Sequence, residues 1–399
     1  MSSGGIRVLM LPALLLPALI GTHAQTPPGR GGTARIGPDG PVVVSPEVLP
    51  DRRVIFRFYA PQARQVRAVF EGAEQTSGVP SGGVSLTKGP DGIWQATFGP
   101  LDAGAYRYNL AVDGAIVIDP RNIETERMQV MTRSILYVPG AAFLDTKDVP
   151  HGAVAVVTYF SKVLNKVRHI HIYTPPGYEA NQQKFPVLYL LHGANESDDS
   201  WSAVGRAGFI LDNLIAEEKS APMIVVMPNG HVDQTPPNLA GIGTPGSPPL
   251  LQRELKDFPN EFTGDILPYV ESHYRAIPDR VHRAIAGLSM GGAQTLNIAF
   301  ANPDKFSAVG VFSSGILSGG LDDWEKSHLA TLDDPKLKKG LKMIWFSTGS
   351  SDFLLATSKA TVEMLNRHGF SATFQESAGA HTWVNWRNYL YQFAPQLFH

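Results

Sequence analysis

The chain has 399 residues, of which 43% are hydrophobic and 18% charged, so wholesale disorder is excluded and two or three domains of about 150 residues are expected. Its 34 Lys and Arg against 36 Asp and Glu leave a formal charge of −2, with no global basic field for nucleic acid or anionic lipid. The absence of cysteine removes thiol nucleophiles, disulfides, thiolate zinc sites and iron–sulfur clusters, leaving Ser, Thr, Lys or a carboxylate for covalent catalysis.

Residues 1–24 carry one early positive charge (Arg7), an apolar run from Val8 to Gly21 and small residues before Gln25. This is the pattern of a cleavable export signal, so the mature chain is expected to begin near Gln25 and to be secreted or periplasmic. Two prolines interrupt the run, and it falls short of the ~20 residues a spanning helix needs, so no membrane association is expected of the mature form. Residues 25–45 are rich in Pro and Gly and read as a flexible leader.

From 46 to 138 the signals are all β. Val54, Phe56 and Phe58 alternate on one face; so do Trp94, Ala96 and Phe98, and then Tyr106, Tyr108, Leu110 and Val112. Asp91-Gly92 and Asp113-Gly114 sit beside such runs, a strong hairpin signal, and predict a small antiparallel sandwich. The aromatic side chains suit either a sandwich core or a sugar-stacking platform, and the alternation places most of them on the buried face.

Residues 139–160 read as a linker, and 161–399 as a second domain. There, short apolar strands (187–193, 223–230, 283–287, 308–315, 343–349, 372–378) alternate with helix candidates near 203–219, 262–274, 291–302, 354–369 and 383–395. Such alternation implies an α/β fold with a mostly parallel, doubly wound sheet. The stretches 231–260 and 316–340 interrupt it and read as loops walling a site at the strand ends.

Gly287-Leu288-Ser289-Met290-Gly291 follows a strand and opens a helix. That is the placement of a nucleophile elbow, in which a tight turn lifts the Ser hydroxyl off the sheet edge. A Ser hydroxyl needs a base, and the base an orienting acid, in chain order Ser, acid, His. His381 lies between the last predicted strand and the last helix, and is the candidate base. Asp352 follows the 343–349 strand and is the candidate acid, ahead of Asp322, Asp323, Asp333 and Asp334 in a charged connecting segment. Acyl transfer also needs oxyanion donors. Met290 N–H is one candidate; the other lies in the sharp turn after 187–193, where Ala194 N–H is favoured with Gly193 close behind. His192 reads as a loop-ordering residue. Trp201, Trp383 and Asn229 are candidate substrate contacts; Trp386 lies near the same predicted site loops, and for the three tryptophans core or loop packing is the alternative reading. No cofactor or metal is expected.

The segments VLYLLHGANESDDSW, MPNGH, NEFTGDILPYVESHYR, AIAGLSMGG, GSSDF and GAHTW, in this order over 150–399, resemble the esterase D-like α/β-hydrolases. Within them the chain is similar to carbohydrate esterase family one, the feruloyl and acetylxylan esterases. The resemblance implies an α/β-hydrolase using Ser289, Asp352 and His381. It further implies an ester hydrolase acting on feruloylated or acetylated xylan or its oligosaccharides. FRFYAP and YRYNLAVDG…DPRN resemble the immunoglobulin-like module of the glycogen-branching and isoamylase type, implying a carbohydrate-binding-type module over 46–138. A ferric-siderophore (enterochelin-type) esterase, an acetylxylan esterase without feruloyl activity, mycolyl-type transfer and a non-catalytic glycan-binding protein are the competing readings.

Overall fold

The computed structural model describes residues 40–71, 79, 82–233, 250–317 and 320–399. The expected export signal (1–24) and most of the leader (25–45) lie outside them. Among the described residues no helix is long and apolar enough to cross a membrane.

Over 47–138, short alternating runs bury one face each and therefore pair into two sheets packed face to face. The strands are β1 (Glu47–Val48), β2 (Val54–Tyr59), β3 (Val66–Phe70), β4 (Val84–Ser85), β5 (Thr87–Lys88), β6 (Ile93–Phe98), β7 (Gly104–Val112), β8 (Ala115–Val117), β9 (Thr125–Arg127) and β10 (Thr132–Val138). One sheet has the order β1-β2-β6-β5 and the other β4-β3-β7-β10-β9, with β8 hairpinned onto β7. The β7–β8 turn is Asp113-Gly114, both at positive φ, as the expected hairpin requires. The six aromatic side chains Phe56, Phe58, Trp94, Phe98, Tyr106 and Tyr108 belong to the sandwich core or pack against it. They therefore form no exposed sugar platform.

The second sheet comprises β11 (Ala153–Ser161), β12 (Lys166–Thr174), β13 (Val187–Leu191), β14 (Ile224–Pro228), β15 (Arg283–Leu288), β16 (Ala308–Phe312), β17 (Met343–Gly349) and β18 (Ala372–Ser377). Its order is β11-β12-β14-β13-β15-β16-β17-β18, antiparallel at the β11 edge and parallel from β14 onward. Strands β13 to β16 are buried on both faces, which explains their unbroken apolar runs. The helices covering them are α1 (Ala207–Ala216), α2 (Leu250–Glu261), α3 (Leu267–His273), α4 (Met290–Ala301), α5 (Leu321–Leu332), α6 (Pro335–Gly340), α7 (Leu355–Arg367) and α8 (Trp383–Phe393).

Two expectations change. Residues 153–160, assigned to the linker, form most of the edge strand β11; its outward face is exposed, so its alternation carries little apolar signal. The supposed loops carry helices. Residues 250–261 form α2, which buries Leu255 and Phe258 although Pro259 lies inside it and a π-helical turn (Phe262–Ile266) follows. Residues 321–332 and 335–340 form α5 and α6, whose few buried anchors (Trp324, Leu332, Leu337) are hidden in sequence by many charges. Residues 234–249 lie outside the described residues. Sandwich and α/β domain pack together within one unit, Pro41–His399, and Ala105 and Ile135 share a hydrophobic cluster with Leu188, Trp201 and Trp386.

Candidate active site

Parallel strands end together at one edge, and the loops leaving β13, β15, β17 and β18 converge there. Ser289 links β15 to α4 with φ 50° and ψ −120°, a conformation costly for a residue with a Cβ. Its neighbours make the turn possible. A Cβ on Gly287 would come within 2.4 Å of the Gly291 backbone, and one on Gly291 within 2.4 Å of His192 O. The turn is pinned by Ser289 N–H donating to Phe312 O (2.9 Å) and Ser314 Oγ–H donating to Ser289 O (2.5 Å).

The structure brings together the three residues read as nucleophile, base and acid. His381 Nε2 lies 3.0 Å from Ser289 Oγ, and its Nδ1 lies 2.9 and 3.0 Å from the two Asp352 oxygens. This arrangement fixes the tautomer: Nδ1 donates to the carboxylate and Nε2 accepts from the hydroxyl. Burial works to raise the Asp352 pKa, but hydrogen bonds from His381 and Leu354 N–H hold it below the usual aspartate range. The other acids lie elsewhere. Asp322 and Asp323 open α5, and Asp334 caps α6 by accepting from Lys336 N–H.

Met290 is the first residue of α4, where backbone N–H groups have no partner within the helix. Gly193 N–H is engaged, donating to Glu196 Oε2 at 2.9 Å, whereas Ala194 is exposed at the cavity wall. His192 orders this loop: Nδ1 donates to Gly193 O (2.7 Å) and Nε2 accepts from Gly230 N–H (2.8 Å). Burial, then the nearby His231 ring, pushes its pKa down to about 4, so it stays neutral.

A cavity of about 220 Å³ opens beside Ser289. Trp383 and Trp386 line it. Trp201 and Asn229 do not. Trp201 is buried beneath Trp383 (ring centroids 5.1 Å) with its indole N–H on Leu191 O, because the loop it anchors turns it inward. Asn229 accepts from His231 N–H at 3.0 Å and serves that turn, outside the Ser289 cavity.

Of the lining residues that escaped the sequence reading, three are buried charged side chains. Glu196 accepts from Gly193 N–H, from Trp383 Nε1 (2.9 Å) and from Arg107 Nη1 (3.1 Å). Arg107 comes from β7 of the sandwich and also contacts Glu126 and Glu71. Burial opposes its charge, but three carboxylates around one guanidinium hold its pKa above the ordinary arginine value. Burial of the same cluster pushes Glu126 up to about 7. Arg387, on α8, is the third. An acid three residues after the tight Gly193 turn was a local hint of Glu196; nothing local marked the two arginines.

The family model for Esterase matches residues 161–397. The endo-1,4-beta-xylanase/feruloyl esterase of Xylanibacter ruminicola is 32% identical over 326 residues, covering 79% of this chain. This chain spans 42% of that relative's length. Among solved structures, a ferulic acid esterase is 32% identical with a TM-score of 0.52, covering 62% of this chain and 98% of that one. The enterobactin esterase of Shigella flexneri shares the fold over 86% of this chain and 92% of its own, with a TM-score of 0.57 at 17% identity. The chain belongs to the Esterase family of α/β-hydrolases, whose common chemistry is carboxylic-ester hydrolysis.

Proposed function

We propose that the chain is an exported serine esterase that removes feruloyl, or acetyl, groups from xylan side chains through an acyl-enzyme. The observation that carries the reading is the unbroken relay from Ser289 Oγ to His381 to Asp352 at hydrogen-bonding distances. Ser289 Oγ attacks the ester carbonyl as His381 Nε2 takes its proton. The N–H groups of Met290 and Ala194 receive the developing oxyanion, at roughly 2.7–4 kcal/mol per donor. His381 then protonates the departing sugar hydroxyl. Water, deprotonated by the same nitrogen, cleaves the acyl-enzyme and restores Ser289. Asp352 stays ionised and holds the imidazole in register.

The feruloyl side of the reading is supported by the printed activities of the relatives and by a cavity with tryptophan walls, roomier than an acetyl group needs. For the sugar side, Phe353 is 75% exposed and packs on the His381 ring at 4.5 Å, offering an apolar face to a leaving sugar. Residues 1–24, read as a removable signal, supply the route out of the cytoplasm; a mature N-terminus near Gln25 by mass spectrometry checks it.

A fluorophosphonate probe is expected to label Ser289, and Ser289→Ala to abolish both labelling and hydrolysis of methyl ferulate and p-nitrophenyl acetate. Full hydrolysis by Ser289→Ala overturns the reading. The second reading, an enterochelin-type siderophore esterase, draws on the fold neighbour that spans both domains. Rapid cleavage of a siderophore trilactone with no release of ferulate from feruloylated arabinoxylan would favour it.

A further inference from the structure

A sheet edge presents unpaired backbone N–H and C=O groups, and folded proteins blunt such edges with short strands, charges or proline. The described edges of this molecule follow that rule with one exception. In the sandwich, β1, β4, β5, β8 and β9 are only two or three residues long. At one end of the second sheet, β18 carries Glu376, paired with Lys359 at 2.7 Å. At the other end stands β11, nine residues long, and none of Ala153–Ser161 (AVAVVTYFS) is charged or a proline.

Among the described residues β11 pairs only with β12, which leaves its outer backbone groups open. Its side chains are open too. Val156 is 61% exposed and Phe160 57%, and Val154 lies exposed on the same face of the strand. Val167, the β12 partner of Phe160, is 60% exposed and widens this apolar strip. A long, uncharged, apolar edge in water is a template for a further strand. None of its residues lines the Ser289 cavity, so the catalytic reading does not explain it.

We propose that β11 pairs with β11 of a second copy of this chain, antiparallel about a two-fold axis at Val157, joining two eight-stranded sheets into one. The strand's own sequence favours this occupant. The axis sets Val154 opposite Phe160 and Val156 opposite Thr158, so apolar and β-branched side chains meet on one face. No like charges meet along the strand, because it has none. Beyond its end, the exposed Lys162 arrives opposite Gly152 of the other copy. That segment carries the exposed Asp148 and the His151–Asp212 pair (2.8 Å), so a cation meets acidic groups. Two-fold symmetry makes this contact twice, whereas a foreign strand would be offered the backbone bonds and only one copy of each end charge.

The test weighs the full-length mature protein in solution. Size exclusion with light scattering at about 100 µM, well above a micromolar Kd, is expected to give twice the mass of one chain. Val156→Lys, at an exposed position, sets two lysines diagonally across the axis and is expected to weaken the dimer at least about ten-fold. Its hydrolysis of p-nitrophenyl acetate should match the wild type, since the strand lies outside the Ser289 cavity. The register has its own readout. The chain has no cysteine, so Val157→Cys introduces a single thiol that meets its own copy at the axis. Directly opposed residues of antiparallel strands have Cα atoms about 4.5–5.5 Å apart, within disulfide reach. Mild oxidation is expected to yield a covalent dimer from Val157→Cys and none from Val281→Cys, an exposed position outside this strand. A wild type that remains a monomer overturns the proposal and leaves the edge bare or open to a foreign strand. A dimer that survives Val156→Lys, or that Val157→Cys fails to cross-link, overturns it equally. Should Val156→Lys fail to fold, the cross-link decides alone.

Discussion

The cavity has two walls of different origin. One is assembled by loops at the ends of β13, β15 and β18, where a parallel sheet delivers side chains to a shared edge. The other comes from Ala105 to Arg107 on β7, a strand of the antiparallel sandwich more than 180 residues before Ser289. The first wall is organised by backbone geometry: a strained turn, two glycines and a helix N-terminus. The second is organised by charge, through the buried Arg107–Glu126–Glu196 cluster. A wall built from geometry fails locally when one side chain changes. A wall built from buried charge fails as a network, because removing one partner leaves the others uncompensated.

The largest effect is expected on the geometric side. Asp352→Asn keeps the shape but reverses the hydrogen-bonding sense toward His381 Nδ1, so the ring turns to the wrong tautomer. A fall of about 10⁴-fold in kcat with an unchanged melting temperature is expected. A fall of less than ten-fold would assign the orienting role elsewhere.

On the charged wall, Arg107→Met is expected to cost about 3–5 kcal/mol of stability, since it strands Glu126 and Glu196. Activity should fall with it, because Glu196 then loses the anchor through which it holds Gly193 N–H and Trp383. Denaturant unfolding and ester kinetics on one preparation check both. A stable variant with normal turnover would show that the sandwich merely leans on the second domain.

The contrast between the walls also explains what was legible in the sequence. Elbow, base and acid could be read because a parallel sheet converts chain order into position: anything at the end of a strand reaches the same edge. The sandwich aromatics could be read because alternation separates faces, and Tyr106, Tyr108 and Leu110 do enter the sandwich core. The same alternation puts Arg107 on the opposite face of the strand. In fact nearly all of β7 is buried, because the second domain covers the face that the pattern left polar. Domain docking leaves no period in the sequence. Trp201 and Asn229 failed for a related reason: lying in a site loop says nothing about which way the side chain turns. The helices in 250–261 and 321–340 were obscured by an internal proline and by charges that outnumber their few core anchors.

The charged wall should also give itself away by pH. Glu126 has a folded-state pKa near 7, above its ordinary value of 4.5, because burial disfavours its charge. A raised carboxyl pKa means that the folded state binds the proton more tightly than the unfolded state. The stabilisation is therefore complete below about pH 4.5 and is lost as pH climbs through 7. The wild type is expected to lose stability over this window relative to Glu126→Gln, by up to about 3 kcal/mol. Parallel stability curves for the two proteins would mean that Glu126 is ionised throughout.

The smallest effect is expected at the rim, where neither geometry nor charge holds the side chain. Phe353 follows the acid directly, packs at a tilt against His381 and is mostly in solvent, so its removal leaves no cavity and strands no polar group. If it meets the sugar that leaves, Phe353→Ala should raise KM for a feruloylated arabinoxylan oligosaccharide by about two- to five-fold, consistent with ~0.5–1 kcal/mol for an exposed aromatic contact. Methyl ferulate, whose leaving group is methanol, should change by less. An equal loss on both esters would mean that Phe353 acts by steadying the imidazole, and would place it with the geometric wall instead of with the substrate.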